Sequence, residues 1–87
     1  MIQITQKNAK VGIKVVRGKD WCWNNQDCDE KTLKQTFGEV QQLLGDGLGG
    51  EHWVRVKWKN GNINSYRIQP EHDLYLYTGS SQLEFEF

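Results

Sequence analysis

The stretch Trp53-Val54-Arg55-Val56-Lys57-Trp58-Lys59-Asn60-Gly61-Asn62-Ile63-Asn64-Ser65-Tyr66-Arg67-Ile68, WVRVKWKNGNINSYRI, decides the fold. Its first seven residues alternate: Val54, Val56 and Trp58 lie on one side of an extended chain, Trp53, Arg55, Lys57 and Lys59 on the other. Asn60-Gly61 follows, and both residues tolerate the positive φ of a tight hairpin turn. The return strand spans Ile63 to Ile68. A two-residue loop sets Ile63 opposite Trp58 and Tyr66 opposite Arg55; a bulged turn shifts that register. On the first register Trp53, Arg55 and Tyr66 share the outward face.

Working outward, Val11 to Gly18 reads as a strand with Val11, Ile13 and Val15 on one side. Pro70 stops the return strand, and Leu74 to Tyr77 forms another short one. Ile2-Gln3-Ile4 and Leu83-Glu84-Phe85-Glu86-Phe87 also alternate. These two ends are expected to pair as an edge ribbon outside the main domain; an unpaired 83–87 edge would instead support self-association. Residues 29–44 are ambiguous. Leu33, Phe37, Val40 and Leu44 have helical spacing, Asp29 can cap a helix and Gly45 can end one, yet Gly38 costs about 1 kcal/mol inside it. Gly45 to Gly50 is a glycine-rich connection. Short strands about ten residues apart suggest a small twisted barrel.

The chain has 87 residues, one small domain's worth, and a formal net charge of zero. Neutrality argues against nucleic acid and anionic membranes as partners. The charge is uneven: Lys7, Lys10, Lys14, Arg17 and Lys19 precede every acid, and only acids follow Arg67. The simplest reading is that the two ends lie together and offset. No apolar run reaches the ~20 residues of a membrane span. Cys22 and Cys28 make no disulfide framework, so an intracellular protein, cytoplasmic or nuclear, with reduced thiols is expected. The abrupt ends suggest a piece of a longer chain.

No catalytic or metal constellation stands out. Cys22, Cys28, His52 and His72 match no structural zinc spacing, no base adjoins a nucleophile, and no phosphate-binding glycine loop is present. The domain by itself is therefore expected to be no enzyme and to need no cofactor. The notable feature is Asp20-Trp21-Cys22-Trp23-Asn24-Asn25-Gln26-Asp27, where two tryptophans interrupt a polar loop. Asp20, Gln26 and Asp27 can hold the turn, and Asp20 or Asp27 can pair with Arg67. One ring is expected to plug the core, Trp21 by preference, and the other to border a groove.

The run VGIKVVRGKDWCWNNQD at 11–27 resembles the opening of the Mind bomb/Herc-type (MIB) domain of certain ubiquitin ligases. The likeness is carried by Val16, Arg17, Gly18, Asp20, Trp21, Trp23, Gln26 and Asp27. A second block matches through Val56, Trp58, Asn60, Gly61, Asn64, Tyr66 and Arg67, and a third through Asp73, Leu74 and Leu76. The resemblance covers residues 11–77. It departs from the family at 28–37, where a glycine-rich stretch is replaced, in the long 45–50 connection, at Lys59, and at Gln69-Pro70-Glu71-His72.

The resemblance implies an all-β fold, a small SH3-like barrel with long loops. It also implies a short helical turn near 29–35 and a strand near 37–44. The domain would span 11–78, flanked by an extension at 1–10 and a tail at 79–87. It implies a module that recruits a peptide of a substrate or partner to a ubiquitin ligase. Candidate peptide-binding residues are Trp21, Trp23, Trp53, Arg55 and Tyr66; candidate loop-structuring residues are Asp20, Gln26, Asp27, Asn64 and Arg67. The alternative is a methyl-lysine or nucleic-acid reader, using converging rings or Trp53 with Arg55, Lys57 and Lys59.

Overall fold

The structure is a computed structural model that describes residues 1–46 and 50–79. Five strands form one antiparallel sheet: β1 (Lys14–Arg17), β2 (Gly38–Asp46), β3 (His52–Trp58), β4 (Ile63–Gln69) and β5 (Leu74–Leu76). Their order is β4-β3-β2-β1-β5, and the described residues contain no helix. The all-β expectation holds, but the sheet does not close into a continuous barrel. Its edge strands β4 and β5 meet through the Arg67–Asp73 contact: the Asp73 N–H donates to the Arg67 carbonyl at 3.1 Å, and the Arg67 N–H donates to Asp73 Oδ2 at 2.9 Å.

The β3–β4 hairpin turns through three residues. The Gly61 N–H donates to the Trp58 carbonyl at 2.9 Å and the Trp58 N–H to the Asn62 carbonyl at 2.8 Å. Gly61 has φ +95°, the left-handed position that ends such a loop. Lys57 therefore faces Ile63 and Val54 faces Tyr66. This corrects the two-residue register. A slip of one residue exchanges the faces of the whole strand, so Tyr66 joins Val54, Val56 and Trp58 in the core while Ile63 is exposed.

The 29–35 segment makes one capped turn. Asp29 Oδ1 accepts from the N–H groups of Lys31 and Thr32, and the Leu33 N–H donates to the Asp29 carbonyl. The strand expected near 37–44 is β2, whose pairing with β3 shifts register between Val40 and Gln42 and again between Leu43 and Gly45. Gly38 is buried, and a Cβ there would stand 2.5 Å from Val56 and 2.7 Å from Trp58. At the other end, Gly18 runs so close to β5 that a Cβ would lie 2.5 Å from the His72 carbonyl oxygen.

The core comprises Ile4, Val15, Val40, Val54, Val56, Trp58, Tyr66, Ile68 and Leu74. Ile4 brings part of the 1–10 segment into this core. The Ile4 N–H donates to the Leu74 carbonyl and the Leu76 N–H to the Ile2 carbonyl, so this segment covers the outer edge of β5. The 83–87 partner expected for it lies outside the described residues. Val11, expected on one side of its strand with Ile13 and Val15, is exposed where Val15 is buried, because regular pairing begins only at Lys14.

Candidate functional site

Gly18 ends β1 by donating its N–H to the Asp73 carbonyl, and Asp20 then fastens the loop to the same segment. Its N–H donates to the His72 carbonyl at 3.1 Å, and its Oδ2 accepts from the His72 N–H at 2.7 Å. The loop beyond carries both tryptophans across the open side of the core. Trp21 stacks on Tyr66 with centroids 5.2 Å apart and meets Trp58 edge-on at 5.6 Å. Trp23 approaches Tyr66 edge-on at 5.8 Å and Trp53 at 6.5 Å. Each such aromatic pair contributes about 0.5–1.5 kcal/mol beyond burial. Both rings are half-buried against the core.

Two arginine–aspartate pairs hold this layer. The Arg17 Nε and Nη2 donate to Asp27 at 2.8 and 2.6 Å, and the Arg67 Nε and Nη2 donate to Asp73 at 3.0 and 2.8 Å. Both carboxylates are fully buried, while their arginines keep a fifth to a quarter of their side-chain surface in solvent. Each guanidinium also lies over a ring: Arg17 over Trp21 at 5.2 Å, Arg67 over Trp23 at 5.6 Å. The expected pairing of Arg67 with Asp20 or Asp27 is thus corrected. Arg67 reaches Asp20 only at its backbone carbonyl, 3.3 Å away. Its partner is Asp73, which raises the already high pKa of the guanidinium.

The far end of the loop is gripped by the hairpin. Asn60 Nδ2 donates to the carbonyls of Gln26 and Cys28 at 3.0 and 2.7 Å, and Asn62 Nδ2 to that of Gln26 at 3.0 Å. The Trp58 indole donates to the Tyr66 hydroxyl, which donates to Gln26 Oε1, both at 2.7 Å. Burial raises the Tyr66 pKa, so the hydroxyl remains a donor. Asp20, Gln26, Asp27 and Arg67 all therefore bond within or against the loop layer, while Asn64 is exposed on β4 opposite Val56. Arg17, Asn60, Asn62 and Asp73 complete it without having been singled out for this role. Their polarity gave no signal, since arginine on a strand and asparagine in a hairpin have ordinary solvent roles.

The outward-facing candidates separate. Trp53 and Arg55 stay on the outer side, with Arg55 Nη1 donating to Gln42 Oε1 at 3.2 Å, whereas Tyr66 belongs to the core. Beside Trp53 lies an apolar groove of about 210 Å³ lined by Leu43, Gly45, His52, Val54 and Ile68, with Gln6 and Ala9 on the N-terminal side. Leu43 at its edge is 49% exposed, an apolar cost without a described covering group. Two of the rings available to a methyl-lysine cage, Trp21 and Trp23, instead carry the protein's own guanidinium ions. Among the described residues no cluster of three or more metal-ligating side chains occurs.

The family model Mib_herc2 matches residues 12–78. The human E3 ubiquitin-protein ligase HERC2 is 41% identical over 62 residues, 71% of this chain and 1% of its own length. The chicken E3 ubiquitin-protein ligase MIB2 is 41% identical over 69 residues, 78% of this chain and 7% of its own. The Caenorhabditis elegans E3 ubiquitin-protein ligase hecd-1 is 48% identical over 55 residues, 63% of this chain and 2% of its own. This chain therefore spans only a small fraction of the relatives it matches.

Proposed function

The chain belongs to the Mib_herc2 family, and from that premise we propose that it is a protein-interaction module of a ubiquitin ligase that recruits a peptide segment of a substrate or partner. Ubiquitin transfer is then the work of other parts of the parent protein. The observation that carries this reading is the apolar groove lined by Trp53, with Leu43 exposed at its edge. Tryptophan beside an apolar slot is the common anchor of protein interfaces. Extended peptides are read by such aromatic-lined grooves. A groove of about 210 Å³ is smaller than the roughly 300–1,000 Å³ of small-molecule pockets and suits one or two peptide side chains.

The test is selection of peptides from a random displayed library on the whole chain. The selected peptide is then titrated against wild type, Leu43→Glu and Trp53→Ala. The expected result is about tenfold weaker binding to each variant, or 1.4 kcal/mol. Equal binding to Leu43→Glu, whose side chain is already at the surface, would remove the groove from the proposal.

A further inference from the structure

A second surface lies at the opposite end of β3. Phe37 and Tyr77 stack with centroids 4.7 Å apart and planes 10° from parallel. Lys59 Nζ lies 5.2 Å and Lys14 Nζ 6.0 Å from the Phe37 centroid. Lys57 projects from β3 beside them, and a groove of about 250 Å³ opens over Phe37, Gly38, Gln41 and Trp58. Gly38 lets this floor exist, since any larger residue would collide with Val56 and Trp58. Glu39 faces both Lys14 and Lys57 across the strands, yet its carboxylate bonds to the Gln41 amide and forms no ion pair with a described lysine. The patch thus keeps an excess of positive charge around an aromatic, largely apolar slot.

From this geometry we infer a second docking surface, one that takes an acidic peptide segment of a partner protein carrying a single aromatic or large aliphatic anchor. The anchor fills the slot against Phe37, and flanking carboxylates reach Lys14, Lys57 and Lys59. Charge complementarity selects the partner: Lys57 and Lys59 line the groove against one acid, Glu39, Lys14 lies beside the Phe37 ring, and the groove is too small for a typical small-molecule ligand. The surface is independent of the Trp53 groove. The two grooves share no lining residue.

The probe is the blocked peptide Asp-Glu-Phe-Glu-Asp, titrated into the isotopically labelled whole chain and followed through backbone amide shifts. Shifts at Phe37, Gly38, Lys57, Lys59 and Tyr77 are expected. Binding should weaken as salt rises from about 0.01 to 0.15 M, where the Debye length falls from about 30 to 8 Å. The Lys57→Glu/Lys59→Glu variant should lose about tenfold in affinity, because each exposed pair is worth up to about 1 kcal/mol. A Lys-Lys-Phe-Lys-Lys peptide binding equally well would overturn the inference. So would shifts confined to the Trp53 groove, or no shifts at millimolar peptide. Patch shifts that follow dilution of the chain alone would assign the surface to a second copy. Patch shifts produced by Glu84→Lys/Glu86→Lys without peptide would assign it to this chain's own acidic end.

Discussion

Arg17–Asp27 and Arg67–Asp73 are built alike and carry different loads. Each is a forked pair on a fully buried carboxylate, and each guanidinium covers one tryptophan. Asp27 spends its carboxylate on Arg17 and on the Cys28 thiol, 3.5 Å away. Its role is local: it closes the base of the loop, and its backbone carbonyl receives the N–H and hydroxyl of Thr36. Asp73 accepts from the Arg67 fork, from the Arg67 N–H and from the Trp23 indole at 2.9 Å. It joins β4, β5 and the tryptophan loop at the place where the sheet lacks a ladder. The same pair of side chains thus serves as a loop clasp at one site and as the seam of the fold at the other.

The largest expected effect comes from breaking the seam. Asp73→Ala leaves a guanidinium, a backbone N–H and an indole N–H without their shared acceptor, and should cost about 4–5 kcal/mol. Asp27→Ala should cost less, about 3 kcal/mol, because its carboxylate accepts from Arg17 and the Cys28 thiol but from no backbone N–H or indole. Urea unfolding of both variants decides it, and equal or reversed losses would dissolve the distinction. Next, Trp23→Phe removes the bond to a buried carboxylate and should cost about 1–2 kcal/mol more than Trp21→Phe. The Trp21 indole donates only to the exposed carbonyl of Asn24, at 2.9 Å. Thermal melts of the two variants measure the gap.

The smallest effect is a control outside both pairs. The Asp29 carboxyl is held below its usual value by the N–H groups of Thr32 and Lys31. A depressed carboxyl stabilises the fold above its unfolded pKa of about 3.9, and that contribution fades as pH falls through the lower folded value. A carbon-detected NMR titration should therefore place the Asp29 midpoint below that of an unfolded aspartate. An unshifted midpoint would mean that the 29–34 turn opens in solution.

How much of this was readable in the chain differs by element. The β3 alternation named its buried face correctly, since no bulge interrupts Val54 to Trp58. The turn was readable as a turn but not as a register, because Asn60-Gly61 suits both a two-residue loop and the three-residue loop found. That single residue moved Tyr66 from an outer face to the core. In β2 two register shifts interrupt the alternation of a strand, and the spacing of three from Phe37 to Val40 imitates a helix. For the loop, the residue types announced an arginine–carboxylate pair at Arg67, but its partner depended on where β5 returned, and the Arg17 pair was not announced. Asp27 was available to either arginine in sequence; only the close passage of Gly18 against His72–Leu74 brings Asp73 to Arg67.

Solvent exchange of the indole N–H groups in deuterated buffer tests the seam most directly. The Trp58 proton, bonded to Tyr66 inside the core, should exchange slowest, Trp23 next and Trp21 fast. A Trp23 proton that outlasts Trp21 and loses its protection in Asp73→Asn, while Trp58 keeps its own, would confirm that Asp73 binds the loop to the seam. A Trp23 proton that exchanges as fast as Trp21 in the wild-type chain would contradict it.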